Sequence, residues 1–188
     1  MRAHPAHYSL GPLAKKELSI ARVEAIYETA FLRMFLLWED LLEQSFLRYI
    51  CGFSSSVGAV ALINPRWKTI ARAEVAVLGT RDFVSWASPN HVIKRSRDHI
   101  VKGPHELVLA SNLARLEAFA SIRNRIAHSS DYARRQFDAA TIHLVGRRYP
   151  AASPGRFLRD TALLHPVPER WLRNIANELK SLSVQVCP

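Results

Sequence analysis

LAKKELSIARVEAIYETAFLRMFLLWEDLLEQSFLRYIC, residues 13–51, holds neither proline nor glycine. Its apolar residues repeat at helical spacing. Ile20, Val23, Tyr27, Ala30, Met34, Leu37 and Leu41 form one stripe, and Phe31, Phe35, Trp38, Leu42 and Phe46 form a second beside it. Both follow the period of an α-helix, about 3.6 residues, rather than the alternation of a strand. A helix apolar over that much of its circumference is buried, or shares a face with another subunit. Gly52 and the run Ser54-Ser55-Ser56 close it. The stretch predicts one long first helix and sets the fold class as all-α.

The rest of the chain reads the same way. Residues 1–12 carry two prolines and a glycine and read as a flexible arm. Residues 13–188 read as a single α-helical domain, with a core over 13–145 and a C-terminal helix packing on it. Residues 57–63 (VGAVALI) fit a short helix or a strand equally. Asn64-Pro65 predicts the start of a helix through Leu78, stopped by Gly79. Asp82–Ser88 is a short segment leading to Pro89, and Asn90–Lys102 reads as a helix ended by Gly103-Pro104. His105–His128 reads as a second long helix and Asp131–Val145 as another. Pro150–Pro154 is a loop, and Pro168 opens a last helix through Val186.

Composition narrows the function classes. A chain of 188 residues with 48% hydrophobic content builds a sizeable core and is not disordered. Lys and Arg number 26 against 16 Asp and Glu, a formal charge of +10. Such a field attracts polyanions, although many basic proteins have no nucleic-acid partner. The cysteines, Cys51 and Cys187, match no zinc spacing and fit a reducing, cytoplasmic compartment. The N-terminal MRAHPAHYSLGPLAKK lacks the apolar core of a secretory signal, and no run of roughly 18 apolar residues exists to span a membrane. His4, His7, His91, His99, His105, His143 and His165 form no H-x-x-x-H or H-E-x-x-H pattern, so no metal site is expected. No glycine-rich phosphate loop and no G-x-S-x-G elbow occurs. No cofactor is expected.

The chemistry concentrates in Arg123-Asn124-Arg125-Ile126-Ala127-His128. Arginine is always charged and matches phosphate geometry. Histidine is the side chain best suited to move a proton near neutral pH. Cleaving RNA without a metal needs both capacities: proton transfer at the 2′-hydroxyl or the leaving oxygen, and neutralisation of charge developing on the phosphate. Asn124 and His128 share a helix face at i and i+4. Arg123 and His128 are offset by about 140° on an ideal helix. They meet one phosphate only if the helix loosens near His128 or a second copy of the motif faces the first. Ser129, Ser130 and Asp131 follow, residues that favour caps and turns, so the motif sits where a helix opens into a turn.

RNRIAH resembles the R-x4-6-H signature of the HEPN superfamily, in its common R-N-x-x-x-H form. The order of elements is also similar: a long first helix holding Trp38-Glu39, later helices, then the motif after an apolar run. The resemblance covers roughly residues 13–145. It implies a HEPN-like helical bundle, a homodimer with both motifs in one composite cleft, and a metal-independent endoribonuclease in a toxin–antitoxin or phage-defence setting, with RNA and an antitoxin protein as partners. Arg123 and His128 are then the catalytic pair and Asn124 their polar support. Some toxin members carry a tyrosine two residues after the histidine. Here Ser130 holds that place and Tyr132 comes later.

Further candidates surround the motif. Glu39 lies among Leu32, Leu36, Leu42 and Phe46 at i−7, i−3, i+3 and i+7. A carboxylate on such a stripe needs a partner. Arg123 across the core is one candidate; another arginine or a rim position is the alternative. Arg125, Arg134 and Arg135 are candidate RNA contacts. Lys94, Arg95, Arg97 and Lys102 either track a phosphate backbone or form a solvated helix face. Arg147-Arg148-Tyr149 either stacks on a base or forms an ordinary turn. Two other readings of the whole chain stand beside the nuclease. One is a silent HEPN module that binds RNA or nucleotide or serves as a dimerisation scaffold. The other is a structural helical protein with Arg123 and His128 at its rim.

Overall fold

The computed structural model describes residues 19–56, 58–64, 66–147, 149, 153–162 and 168–187. The fold is all-α, with one small two-stranded ribbon among the described residues. The predicted first helix is α1, Ile20–Ile50. Ser19 caps it, its hydroxyl accepting from the Arg22 N–H at 3.3 Å. At 31 residues it is about 46 Å long. The predicted portion before Ser19, and the arm at residues 1–12, lie outside the described residues. The two stripes have different fates. Phe31, Phe35, Trp38, Leu42 and Phe46 are buried, whereas Ile20 and Leu37 of the other stripe are exposed.

Several boundaries differ from the sequence expectation, each for a tertiary reason. Residues 58–63 are neither a helix nor a regular strand. Leu62 bridges Ile100, and the Val101 N–H donates to the Ala61 carbonyl at 2.8 Å. The next helix is shorter too, since the Trp67 N–H donates to the Ile50 carbonyl at 3.0 Å. α2 spans Ile70–Leu78, capped by Thr69 rather than begun at Asn64, and Gly79 stops it at φ 60° as expected. α3 spans Pro89–His99, because Ile100 is drawn into the bridge and Lys102 takes a left-handed φ of 48°. Pro89 stands at its first turn, where a missing N–H costs nothing.

The expected single helix His105–His128 is two. α4 covers Pro104–Ser111 and α5 covers Leu113–Ala127. Asn112 breaks them at φ −119°, ψ 17°, and its Nδ2 donates to the Val108 carbonyl at 2.8 Å. A side chain that satisfies a backbone carbonyl itself competes with the helix. α6 follows as expected at Asp131–Val145, ended by Gly146 in the left-handed conformation. Part of the expected 150–154 loop is helix: α7, Pro154–Arg159, starts from a Ser153 cap. Gly155 allows its close approach to α1, since a Cβ there would lie 2.5 Å from the Glu24 carbonyl oxygen. The last helix, α8, begins at Trp171 and runs to Val186. Pro168 does not open it, because Glu169–Arg170 (β2) first pairs antiparallel with Thr161–Ala162 (β1).

α1 is the spine. α7 and α8 pack along it, and α5 and α6 pack on each other beside it. The Tyr49 hydroxyl donates to the Val186 carbonyl at 2.8 Å, and Arg115 clamps Glu178 through two 2.6 Å hydrogen bonds, tying α8 to α1 and α5. Phe31, Phe35, Phe46, Phe119, Phe137 and Phe157 are fully buried. No helix among the described residues is long and apolar enough to cross a membrane.

His105 is fully buried in this core. Its Nε2 lies 3.0 Å from the Leu42 carbonyl and 2.9 Å from the Ser45 hydroxyl, with Phe46 and Tyr49 against its ring. Burial lowers its pKa to about 4. The folded value is below that of the unfolded chain, so unfolding takes up a proton between pH 4 and 6.5. His105 therefore contributes its full stability above pH 6.5 and loses it as pH falls towards 4. The melting temperature is expected to drop through that window, and His105→Leu to drop less steeply there. Equal slopes for wild type and variant in thermal melts would refute this account.

Candidate functional site

The helix carrying the motif stops where the sequence places the turn. α5 ends at Ala127, and His128 is its C-cap in extended conformation, φ −135° and ψ 131°. The 140° offset of an ideal helix therefore does not apply to His128. The residue is exposed and lines the same cleft as Arg123 and Asn124. Ser130 then caps α6 by accepting from the Ala133 N–H at 3.2 Å, which turns the chain sharply after the motif.

The cleft encloses about 920 Å³. Leu36, Glu39, Asp40 and Glu43 of α1 form one side. They stand at i, i+3, i+4 and i+7, a single helix face. Arg123, Asn124, His128, Tyr132 and Gln136 come from α5 and α6, and the segment from Phe83 to Pro89 completes the lining.

Glu39 meets Arg123, as one sequence reading expected. Arg123 Nε lies 3.4 Å from Glu39 Oε1, and both side chains are partly buried. The contact is a loose ion pair: Oε1 is buried without an aligned hydrogen bond. Burial raises the Glu39 pKa, and the Arg123 guanidinium pulls it part of the way back. Arg123 Nη1 also donates to Asn124 Oδ1 at 3.4 Å. Asn124 thus holds the arginine rather than the histidine. The guanidinium is fixed from two sides, with its remaining N–H donors free to meet a ligand.

The other predicted contacts are dispersed. Arg125 does not line the cleft; its Nη1 donates to the His128 carbonyl at 3.2 Å and so closes the end of α5. Arg134 pairs with Asp131 at 3.3 Å on the surface, and Arg135 is exposed; neither lines the cleft. Arg95 leaves the proposed basic face altogether. It is buried, with its guanidinium 4.2 Å from the Trp86 ring centroid and a hydrogen bond to the Ser85 carbonyl at 3.3 Å. Arg97 pairs with Glu106 at 2.8 Å, while Lys94 and Lys102 are exposed. Tyr149 is half-buried, edge-on to Phe157 with its hydroxyl bonded to Asp160; Arg148 lies outside the described residues. Among the described residues no cluster of His, Cys, Asp and Glu has the geometry to hold a metal ion.

Sequence reasoning missed Phe83, Tyr132, Asp40, Glu43 and Glu117 as parts of this cleft. The i, i+4 relation of Glu39 and Glu43 was a signal for one of them. The others depend on the packing of α1 against α5 and on the course of residues 82–88. The cleft is more acidic than the chain: Glu39, Asp40, Glu43 and Glu117 line it against Arg123. Comparison with protein-family models, curated proteins and solved structures finds no match for this chain.

The ion pair makes an asymmetric prediction. With its pKa raised on folding, ionised Glu39 opposes folding at neutral pH, and stability from this group declines as pH rises above its unfolded value. Glu39→Gln is expected to be neutral or stabilising at pH 7. Arg123→Met strands the carboxylate and is expected to cost about 1–3 kcal/mol. The double variant should recover much of that loss in urea titrations. Additive effects of the two substitutions would show that the pair is not coupled.

Proposed function

We propose that this chain is a HEPN-type, metal-independent endoribonuclease. One observation carries the reading: Arg123, Asn124 and His128 line a single cleft, with Glu39 of α1 in a loose ion pair with Arg123. A partly desolvated carboxylate set beside a cation in a cleft is a pairing that clusters at functional sites, though structural ion-pair networks contain it too.

In the proposed reaction the 2′-oxygen bonds to the adjacent phosphorus as its proton leaves. The bond from phosphorus to the 5′-oxygen breaks, and that oxygen takes up a proton. The products are a 2′,3′-cyclic phosphate and a 5′-hydroxyl. His128 serves as the proton-transfer group, and Arg123 carries the added charge on the phosphoryl oxygens. A homodimer supplies a second copy of the motif for the complementary proton step. The solvent-exposed Ile26, Leu36 and Leu37 on α1 offer apolar surface for such a partner, and Leu36 reaches the cleft itself. Through the HEPN resemblance the proposed setting is cytoplasmic toxin–antitoxin or phage-defence biology, with RNA as substrate and an antitoxin protein as partner. A second reading, a silent HEPN module that binds RNA or nucleotide or scaffolds a dimer, is favoured by the carboxylates lining the cleft, which weaken its hold on a phosphate.

A long single-stranded RNA incubated with the protein in EDTA separates the two. Cleavage is expected, leaving cyclic phosphate ends. His128→Ala should reduce it by roughly 10²–10⁴-fold with helicity unchanged, because the side chain is exposed at a helix end. Arg123→Ala should abolish cleavage and weaken RNA binding as well. Cleavage by His128→Ala at the wild-type rate would refute the enzymatic reading in favour of the silent module.

A further inference from the structure

Phe83 and Tyr132 are the two most solvent-exposed aromatic residues among those described, at 76% and 66%. Both line the cleft that holds Arg123 and His128, Phe83 from the segment before α3 and Tyr132 from α6. Single exposed apolar residues are ordinary. Two open aromatic rings in the one cleft with a fixed cation and a histidine are not.

Both rings stand on firm mounts. Tyr132 is the second residue of α6, directly after the Ser130 cap. Phe83 belongs to the segment pinned by Trp86, which is buried against Phe46 and under the Arg95 guanidinium. Arg95 also bonds the Ser85 carbonyl, two residues from Phe83. A ring on an anchored backbone has less freedom to lose when a ligand stacks on it than one on a free loop.

The charge of the cleft decides what that ligand presents. Asp40, Glu43 and Glu117 in the lining repel phosphates, and Arg123 is its arginine. A strand here is held by its bases more than by its backbone. Stacking uses the π-face that every base carries, and carboxylates accept hydrogen bonds from base amino groups.

We infer that the cleft takes single-stranded RNA by stacking unpaired bases on Phe83 and Tyr132, an inference that rests on the nuclease reading. Duplex RNA is excluded, because its bases are already stacked and offer no open face.

The test uses an unstructured 2′-O-methyl oligonucleotide carrying 2-aminopurine, which lacks the attacking hydroxyl and is not cleaved. Wild-type protein is expected to bind it and quench the fluorescence. Phe83→Ala and Tyr132→Ala should each weaken binding roughly 5- to 100-fold and lose the quench. Phe83→Trp should keep both. The same strand annealed to its complement should bind at least about tenfold more weakly, since pairing hides the base faces. Equal binding and quenching by Phe83→Ala, or equal binding of the duplex, overturns the inference. So does a Phe83→Ala variant that turns from dimer to monomer in sedimentation while binding the strand normally, which would assign the ring to a second copy of the chain. Parallel assay of the 2′-hydroxyl form keeps the two readings apart. Quenching without cleavage sinks the nuclease alone, and cleavage without quenching sinks the stacking alone.

Discussion

Burial of the aromatic stripe of α1 is the constraint on which the cleft and its charges depend. Phe35, Trp38, Leu42 and Phe46 must face the core, and each is buried. Successive helical residues are rotated by about 100°. Leu36, Glu39 and Glu43 come directly after Phe35, Trp38 and Leu42, so all three emerge along the same edge of the buried stripe. That edge is one side of the cleft. The acidic lining is therefore not an independent feature of the surface. It is set by the register of the core, and moving it would pull aromatic rings out of water-free packing worth about 1.5–3 kcal/mol each.

The same register delivers Glu39 to Arg123. Glu39 is poorly solvated and incompletely paired, since its buried Oε1 lacks an aligned donor. The interaction is thus strongest as a constraint on the arginine rather than as a source of stability. Asn124 adds a second restraint one residue along the chain. His128 is treated oppositely. It stands past the end of the helix, exposed, with its backbone N–H held by the Asn124 carbonyl at 2.9 Å and its carbonyl held by Arg125. The main chain is fixed at both ends of the residue, which stays exposed at the cleft.

What the sequence made legible was local. The uninterrupted apolar period of α1, the Gly79 stop, the Ser130 cap and the turn after His128 each depend on a few neighbouring residues. The pairing of Glu39 with Arg123 was legible as one option because a carboxylate on an apolar stripe has few ways to be satisfied. What was not legible came from distant partners. Ile100 leaves its helix to bridge Leu62, Glu169 and Arg170 pair before α8 begins, and Arg95 turns inward to Trp86. Asn112 is an intermediate case: its side chain breaks a helix by a local hydrogen bond, yet the same residue type occurs inside α5 as Asn124 without breaking it. Phe83 carried no periodic signal, since its segment has no regular structure.

Charge acts at two ranges in this chain. The formal charge of +10 belongs to the whole sequence and draws polyanions from a distance of about one Debye length, near 8–10 Å. Inside the cleft the balance reverses, with Glu39, Asp40, Glu43 and Glu117 around Arg123. A phosphate that enters must therefore compete with Glu39 for one guanidinium. It does so by taking the donors that the ion pair and Asn124 leave over, so the arginine stays oriented as it binds. On the proposed function, the attraction of Arg123 grows as charge builds on the phosphoryl oxygens, and the repulsion of Glu39 and its acidic neighbours grows with it. The site therefore favours the more highly charged species only as far as the guanidinium lies nearer the phosphate than the carboxylates do, and binding energy distributed in that direction is what accelerates a reaction rather than merely holding its substrate.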